Sequence, residues 1–278
     1  MSGEAGQVIF VIWRESVEAL LVIGILQAWL SSQGERTRRG RWFLWMGTGA
    51  GLGLALLLGG GLLWFRERLS DDAQEYFQTG MVFAAAVLII QMVFWMRRRG
   101  RTLRRDLEAG AERSLQENRW WSLAILAALA VAREGSETVI FLYGIIAGGA
   151  QASWLETSVT IAAGLLLAFF TYWLLQIGSR VLSWRLFFRA SEIMLLFLAL
   201  ALIMNGVDHL VSAGVLPSPG TPLWNSSDLL DDSDSLGSLI AALSGYRARP
   251  DLLNIGVFVF YWLTIWLAMQ KMRPAAQQ

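Results

Sequence analysis

Seven apolar stretches, each long enough to cross a lipid bilayer as a helix, dominate this sequence. They lie at about residues 8–30, 42–65, 76–96, 120–148, 154–177, 190–213 and 252–270. A transmembrane helix needs about 20 predominantly apolar residues. Charged residues make up 16% of the chain, whereas a soluble domain carries roughly 25%. The sequence therefore predicts an all-α, polytopic membrane protein with one transmembrane domain and seven transmembrane helices.

The distribution of basic residues predicts the orientation of these helices. Cytoplasmic segments of membrane proteins are rich in arginine and lysine. Here 17 of the 23 basic residues follow the first, third or fifth helix or lie in the C-terminal tail, and the opposite segments are acidic. We therefore expect an outside N-terminus and a cytoplasmic C-terminus, in a plasma membrane or bacterial inner membrane. The arginine-rich segment 97–119 is explained by this topology and by contact with anionic lipid.

The longest segment outside the predicted helices, residues 214–251, lies on the outer side. Prolines and Gly220 predict turns at its start, and apolar residues recur at helical spacing between Leu236 and Leu243. We therefore expect a short amphipathic helix at the outer interface. The aspartates within residues 226–235 are interpreted as helix caps rather than as a cluster that collects metal.

Several kinds of chemistry are excluded by the residue counts. The chain has no cysteine, which excludes thiolate metal sites, iron–sulfur clusters and cysteine nucleophiles. His209 is the only histidine, so sites built from several histidines are excluded, and Lys271 near the C-terminus is the only lysine. We expect neither an enzyme nor a cofactor, and no nucleic acid among the partners.

Two of the predicted helices nevertheless contain the same charged pattern, Arg-Glu-x-x-Glu. Each charge at the bilayer centre costs at least ~2.5 kcal/mol on insertion scales. Glutamates at positions i and i+3 share one face of a helix, and an adjacent arginine holds them ionised. Each motif has two carboxylates for one guanidinium, so a simple packing ion pair would leave surplus negative charge that a cation or protons must neutralise. The motifs are Arg14, Glu15 and Glu18 in the first helix and Arg133, Glu134 and Glu137 in the fourth.

The two motifs occupy matching positions in a repeat. Residues 1–96 and 120–213 align with an offset of about 112–119 residues, and three helices per unit place the second unit upside down. Transporters built from such inverted repeats bind their substrate near the bilayer midplane, between the repeats. We therefore expect the four glutamates and two arginines to share one cavity with a formal charge of −2, with Gly135 and Gly144 allowing close backbone approach.

Weaker candidate residues lie near the helix ends. Glu75 and Glu192 correspond in the repeat and are candidates for gate or relay residues, although interfacial charges beside Arg66 or Arg189 explain them equally well. Asp208 and His209 near the outer end of the sixth helix could assist metal uptake, but a solvated helix end is the simpler interpretation.

Carboxylates without cysteine or several histidines favour hard cations with oxygen ligands, such as ferric iron, calcium, magnesium or manganese, or protons. The doubled motif also carries a resemblance. The sequence resembles the high-affinity iron permease family of fungi and bacteria, whose signature Arg-Glu-Gly-Leu-Glu lies on the first and fourth of seven transmembrane helices. Ser16, Val17 and Ser136 depart from that signature, whereas every charged position is kept.

The resemblance implies a permease that moves ferric iron into the cell, and the inverted repeat predicts that it does so by alternating access. The metal ligands would be Glu15, Glu18, Glu134 and Glu137, supported by Arg14 and Arg133. An extracytoplasmic ferroxidase, peroxidase or iron-binding protein would deliver the ion. Two alternatives remain open: a transporter of another cation such as lead or manganese, and a metal sensor that transports nothing.

Overall fold

The computed structural model describes residues 3–33, 38–99, 102–116, 120–147, 154–177, 184–217, 220–232 and 234–271. Nine α-helices and no strands form in these ranges, in agreement with the predicted all-α class. Parts of the basic segments and of segment 214–251 used in the predictions lie outside the described residues, as does residue 148 at the end of a predicted span. The helices are α1 (Gly3–Ser32), α2 (Arg38–Arg66), α3 (Asp71–Arg99), α4 (Leu103–Gln116), α5 (Trp120–Ala147), α6 (Trp154–Ile177), α7 (Trp184–Ser212), α8 (Ser235–Ser244) and α9 (Leu252–Lys271).

Five of these helices, α2, α3, α6, α7 and α9, are long and apolar enough to cross a membrane. The helices α1 and α5 have 30 and 28 residues, which at about 1.5 Å per residue is also sufficient. These two contain the charged motifs. Five candidate spans are therefore found in the described residues, and the total of seven stays a prediction.

The motif helices lie at the centre of the helix packing. Helix α1 packs against α5 and α6, helix α5 packs against α1, α2 and α3, and α3 also packs along α7. Buried residues occur along much of α1, whereas those of α2 form one stripe from Gly40 to Ala55. Large apolar side chains on the other faces of α2, α6 and α9 are exposed. The charged helices are thus shielded by apolar ones.

Small residues allow α2 and α5 to approach closely. A side chain at Gly47 would collide with the backbone carbonyl of Ala124, and one at Gly51 would lie 2.6 Å from the carbonyl oxygen of Ala128. Close approach through small residues at i and i+4 is a common way for membrane helices to associate. Gly135 lies against α2 and Gly144 against α3, so both glycines make close contacts, but with these helices rather than between the two motif helices as predicted.

Two short helices lie at the ends of the bundle. Helix α8 forms within segment 214–251, where a short helix is predicted, and the side chain of Gln7 in α1 donates to the carbonyl of Ala242. The place of α8 at the outer interface stays a prediction. Asp234 occupies the N-cap position of α8 but makes no side-chain capping hydrogen bond. Helix α4 forms within the segment interpreted as a connector, because Leu107 and Ala111 bury an apolar edge against α1 and α5.

The close contact between α2 and α5 gives a test of the packing. Gly51→Leu is expected to destabilise the fold by about 1–3 kcal/mol, because the added side chain meets the α5 backbone. Gly49→Leu is a matched control, since nothing lies within 4 Å of that position. The measurement is the temperature at which half of the purified protein loses its monodisperse elution. Equal midpoints for the two variants would contradict the packing described.

Candidate metal centre

Helices α1 and α5 bring the two charged motifs together. Carboxylate oxygens of Glu15, Glu134 and Glu137 all lie within 4.8 Å of one another. Glu15 and Glu134 are buried and Glu137 is largely so. We call these three residues the carboxylate cluster. No other group of three potential metal ligands is found in the part of the chain that the structure describes.

Arg14 is the most deeply buried charge in the site. Its side chain is fully inaccessible to solvent, and its Nη1 atom lies 2.6 Å from Oε1 of Glu15. Its Nη2 atom forms an ion pair with Glu18 one turn along α1. One guanidinium therefore binds both glutamates of its own motif.

Arg133 holds the second motif less tightly. Its Nε atom donates to Oε1 of Glu137 at 2.9 Å and lies 4.0 Å from Oε1 of Glu134. The side chain is one-third exposed, and its guanidinium lies over the ring of Trp95 at 3.8 Å. The two motifs are thus alike in sequence but differ in burial and in contacts.

Glu18 is the one predicted ligand outside the carboxylate cluster. Its carboxylate is paired with Arg14, and it interacts electrostatically with Glu137 and Arg133 across the helix pair. The structure therefore brings three of the four predicted ligands together and places the fourth beside them.

The carboxylate cluster keeps unused acceptor atoms. The Oε2 atoms of Glu15, Glu134 and Glu137 are buried and accept no hydrogen bond within the described ranges. A buried carboxylate oxygen without a partner is costly. Three neighbouring carboxylates that each keep such an oxygen suit a hard cation, which oxygen ligands bind well. An inert packing ion pair does not account for these atoms, since the arginines contact the other carboxylate oxygens.

Helix α3 contributes side chains that the sequence analysis missed. Arg14 contacts Sδ of Met92 through Nη1 and Sδ of Met96 through Nη2. Trp95, between them, contacts Arg133. Methionine and tryptophan within an apolar span are typical of ordinary packing, so the sequence alone gave no signal for these contacts.

The weaker candidates lie apart from the carboxylate cluster. Glu192 pairs with Arg97 of α3, whose Nη1 also contacts Sδ of Met269 in α9 at 3.0 Å. Asp208 pairs with Arg247 at 2.5 Å. Glu75 is exposed near the start of α3, and His209 is half-buried beside Asp208. Their predicted roles in gating and uptake stay predictions.

Comparison with known proteins identifies relatives over nearly the whole chain. A family model described as "Iron permease FTR1 family" matches residues 6–272. A protein named "Ferrous iron permease EfeU" from Escherichia coli O6:H1 is 30% identical over 258 residues, which cover 90% of each chain. Proteins of the same name from Shigella sonnei and Yersinia pestis are 29% and 26% identical and cover 89% and 90% of this chain, and 89% and 88% of their own. No solved structure matches the chain.

The burial of Arg14 gives a test of the site's charge balance. Arg14→Met leaves Glu15 and Glu18 buried without their guanidinium, and breaking a buried pair in this way costs about 3–5 kcal/mol. Adding Glu15→Gln and Glu18→Gln to that variant removes the unpaired charges, so most of the stability should return. Thermal midpoints of the purified single and triple variants measure this. An Arg14→Met variant with the same thermal midpoint as wild type would show that Glu15 and Glu18 do not depend on Arg14.

Proposed function

Since this chain belongs to the iron permease FTR1 family, we propose that it carries iron across the cytoplasmic membrane into the cell through the carboxylate cluster. The observation that carries the proposal is the convergence of buried carboxylate oxygens of Glu15, Glu134 and Glu137 between α1 and α5. Glu18 lies beside them and completes the ligand set during transport. The protein is a multi-pass membrane transporter, and iron is its cargo.

We propose ferric iron as the ion that binds the carboxylate cluster. Carboxylates are hard, anionic donors, and no cysteine or second histidine exists in the chain to favour a softer ion. Ferrous iron is the second candidate for two reasons. The relatives are named ferrous iron permeases, and a divalent ion would neutralise the formal charge of −2 left by four glutamates and two arginines.

The helix contacts support seven spans arranged as an inverted repeat. Under the predicted repeat, α1, α2 and α3 correspond to α5, α6 and α7. Helix α1 packs against α6, and α5 packs against α2, so each motif helix contacts the second helix of the other unit. Exchanging the two units leaves the α1–α5 pair and the α3–α7 pair unchanged, because each pair consists of two corresponding helices. These matched contacts are expected of two interlocked units related by a pseudo-two-fold axis, whereas the contact of α3 with α5 has no counterpart of similar extent between α1 and α7.

We propose that transport proceeds by alternating access. Iron arrives from the acidic outer face, loses water to the carboxylate cluster, and leaves toward the cytoplasm when one repeat moves against the other. Arg14 and Arg133 orient the carboxylates in the absence of iron, and their positive charge limits the affinity so that the ion can leave. The N-terminus lies outside and the C-terminus in the cytoplasm.

The proposed partners act at the two membrane surfaces. An extracytoplasmic ferroxidase, peroxidase or iron-binding protein supplies the ion, because the single histidine and absent cysteines leave this chain without a copper or haem ligand set of its own. At the inner surface, the basic segment that contains α4 contacts anionic lipid.

Transport of another cation is distinguished from iron transport by competition. If lead or manganese were the preferred cargo, that ion would inhibit the uptake of radioactive iron at a lower concentration than unlabelled iron does. A sensor that only binds metal would show binding without any accumulation inside a sealed vesicle.

The decisive prediction concerns the carboxylate cluster. Glu134→Gln should reduce iron uptake into proteoliposomes at least about tenfold, because an amide supplies a neutral and weaker ligand than a carboxylate. The double variant Glu15→Gln, Glu134→Gln should abolish uptake. Radioactive iron is offered separately as ferric citrate and as ferrous ion, so the same assay identifies the transported form.

Glu112→Gln is the matched control for these variants. Glu112 is an exposed carboxylate in α4, on the proposed cytoplasmic side, so its replacement changes the charge without touching the carboxylate cluster or the outer face from which iron arrives. It should retain wild-type uptake. Normal uptake by the double variant would exclude the carboxylate cluster from the transport path.

A further inference from the structure

One face of α3 contacts both arginines of the site. Met92, Trp95 and Met96 lie at positions i, i+3 and i+4, which share a helix face. The two methionines contact Arg14 and the tryptophan contacts Arg133. We infer that this face positions the two guanidiniums so that the carboxylate cluster keeps oxygens available for iron, an inference that rests on the proposed function.

The N–H groups of the buried Arg14 need acceptors inside the protein. A guanidinium has five N–H donors and no acceptor, and Arg14 is fully buried. Each terminal nitrogen contacts one carboxylate and one thioether: Nη1 contacts Glu15 and Met92, and Nη2 contacts Glu18 and Met96. The thioether sulfur is a neutral acceptor. The two sulfur atoms therefore contact the terminal nitrogens without adding negative charge to a site that already carries a surplus, while the buried Nε of Arg14 has no hydrogen-bond partner among the described residues.

The contacts of Arg14 with the two sulfur atoms affect which carboxylate oxygens stay available for iron. Arginine often binds a carboxylate through both of its oxygens. If the sulfur acceptors were removed, the unsatisfied N–H groups of Arg14 would turn toward the second oxygens of its glutamates. Oε2 of Glu15 is among the buried atoms that accept no hydrogen bond in the described residues. The sulfur atoms thus keep this oxygen available as a ligand for iron.

Trp95 positions the guanidinium of Arg133. The guanidinium carbon lies over the ring of Trp95, 3.8 Å from the ring centroid, a position in which the ring face attracts the cation. Nε is held 2.9 Å from Glu137 and 4.0 Å from Glu134. Because the ring limits how far the guanidinium can move toward Glu134, Arg133 binds the carboxylate of Glu134 less closely than that of Glu137. Met92, Trp95 and Met96 are therefore positioning residues, and iron itself is bound by the glutamates.

The experiment compares two replacements of the methionine pair in the iron uptake assay. Met92→Leu with Met96→Leu keeps the size and apolarity but removes the acceptor, whereas Met92→Gln with Met96→Gln restores a neutral acceptor through the amide oxygen. The leucine pair should raise the half-saturating iron concentration about tenfold with a smaller change in maximal rate. The glutamine pair should return it to within about threefold of wild type.

Met204→Leu is the matched control, because Met204 in α7 is buried like Met92 and lies near Gly245, and no contact with Arg14 or Arg133 is found for it among the described residues. It should leave both kinetic parameters unchanged. At Trp95, replacement by phenylalanine keeps a ring face and should preserve more activity than replacement by leucine. Monodisperse elution of each variant establishes that it is folded.

The outcomes separate this inference from the proposed function. The positioning role would be overturned by a leucine pair with the half-saturating iron concentration of wild type, or by leucine and glutamine pairs that raise it equally. In either case, loss of uptake in Glu134→Gln would still uphold the transport function. A wild-type protein that takes up no iron in either oxidation state, with the extracytoplasmic partners present, would overturn the proposed function and this inference with it.

Discussion

The burial of Arg14 between Glu15 and Glu18 is the interaction on which the rest of the structure depends. Three charges on one side of α1 cannot face lipid, because each costs several kcal/mol there. Helix α1 is therefore surrounded by protein, and α5 with the second motif becomes its natural neighbour. Apolar helices then form the outer surface: α2 and α9 each bury only a narrow stripe and expose the rest. The architecture follows from shielding two charged segments.

The same charges account for the function. Two guanidiniums satisfy only some of the carboxylate oxygens: Glu15, Glu134 and Glu137 each keep a buried oxygen that accepts no hydrogen bond among the described residues, and the three carboxylates lie within 4.8 Å of one another. A site that is fully neutralised would be a stable but inert core. Under the proposed function, the surplus of negative charge provides a site for a passing cation, and the arginines keep its affinity within the range that release requires. Fold stability and ion binding therefore depend on one charge balance.

Sequence reasoning predicted the charged centre because charge in a membrane span is a strong signal. It identified both motifs and the short helix α8, whose apolar residues stand out against a polar segment. It missed Met92, Trp95 and Met96, because every face of an apolar span looks alike whether it meets lipid or protein. It also could not tell that Glu192 pairs with Arg97, a contact between distant helices that depends on the packing angle. Contacts through small residues and sulfur atoms became visible only in three dimensions.

The central claim, that iron is bound by the carboxylate cluster, is tested most directly by X-ray absorption at the iron edge on purified, iron-loaded protein. The account predicts a first shell of oxygen atoms with a carboxylate signature and no sulfur, although Met92 and Met96 lie near the site. It also predicts that the triple variant Glu15→Gln, Glu134→Gln, Glu137→Gln retains no stoichiometric iron. A sulfur-containing shell, or an unchanged spectrum in the triple variant, would contradict it.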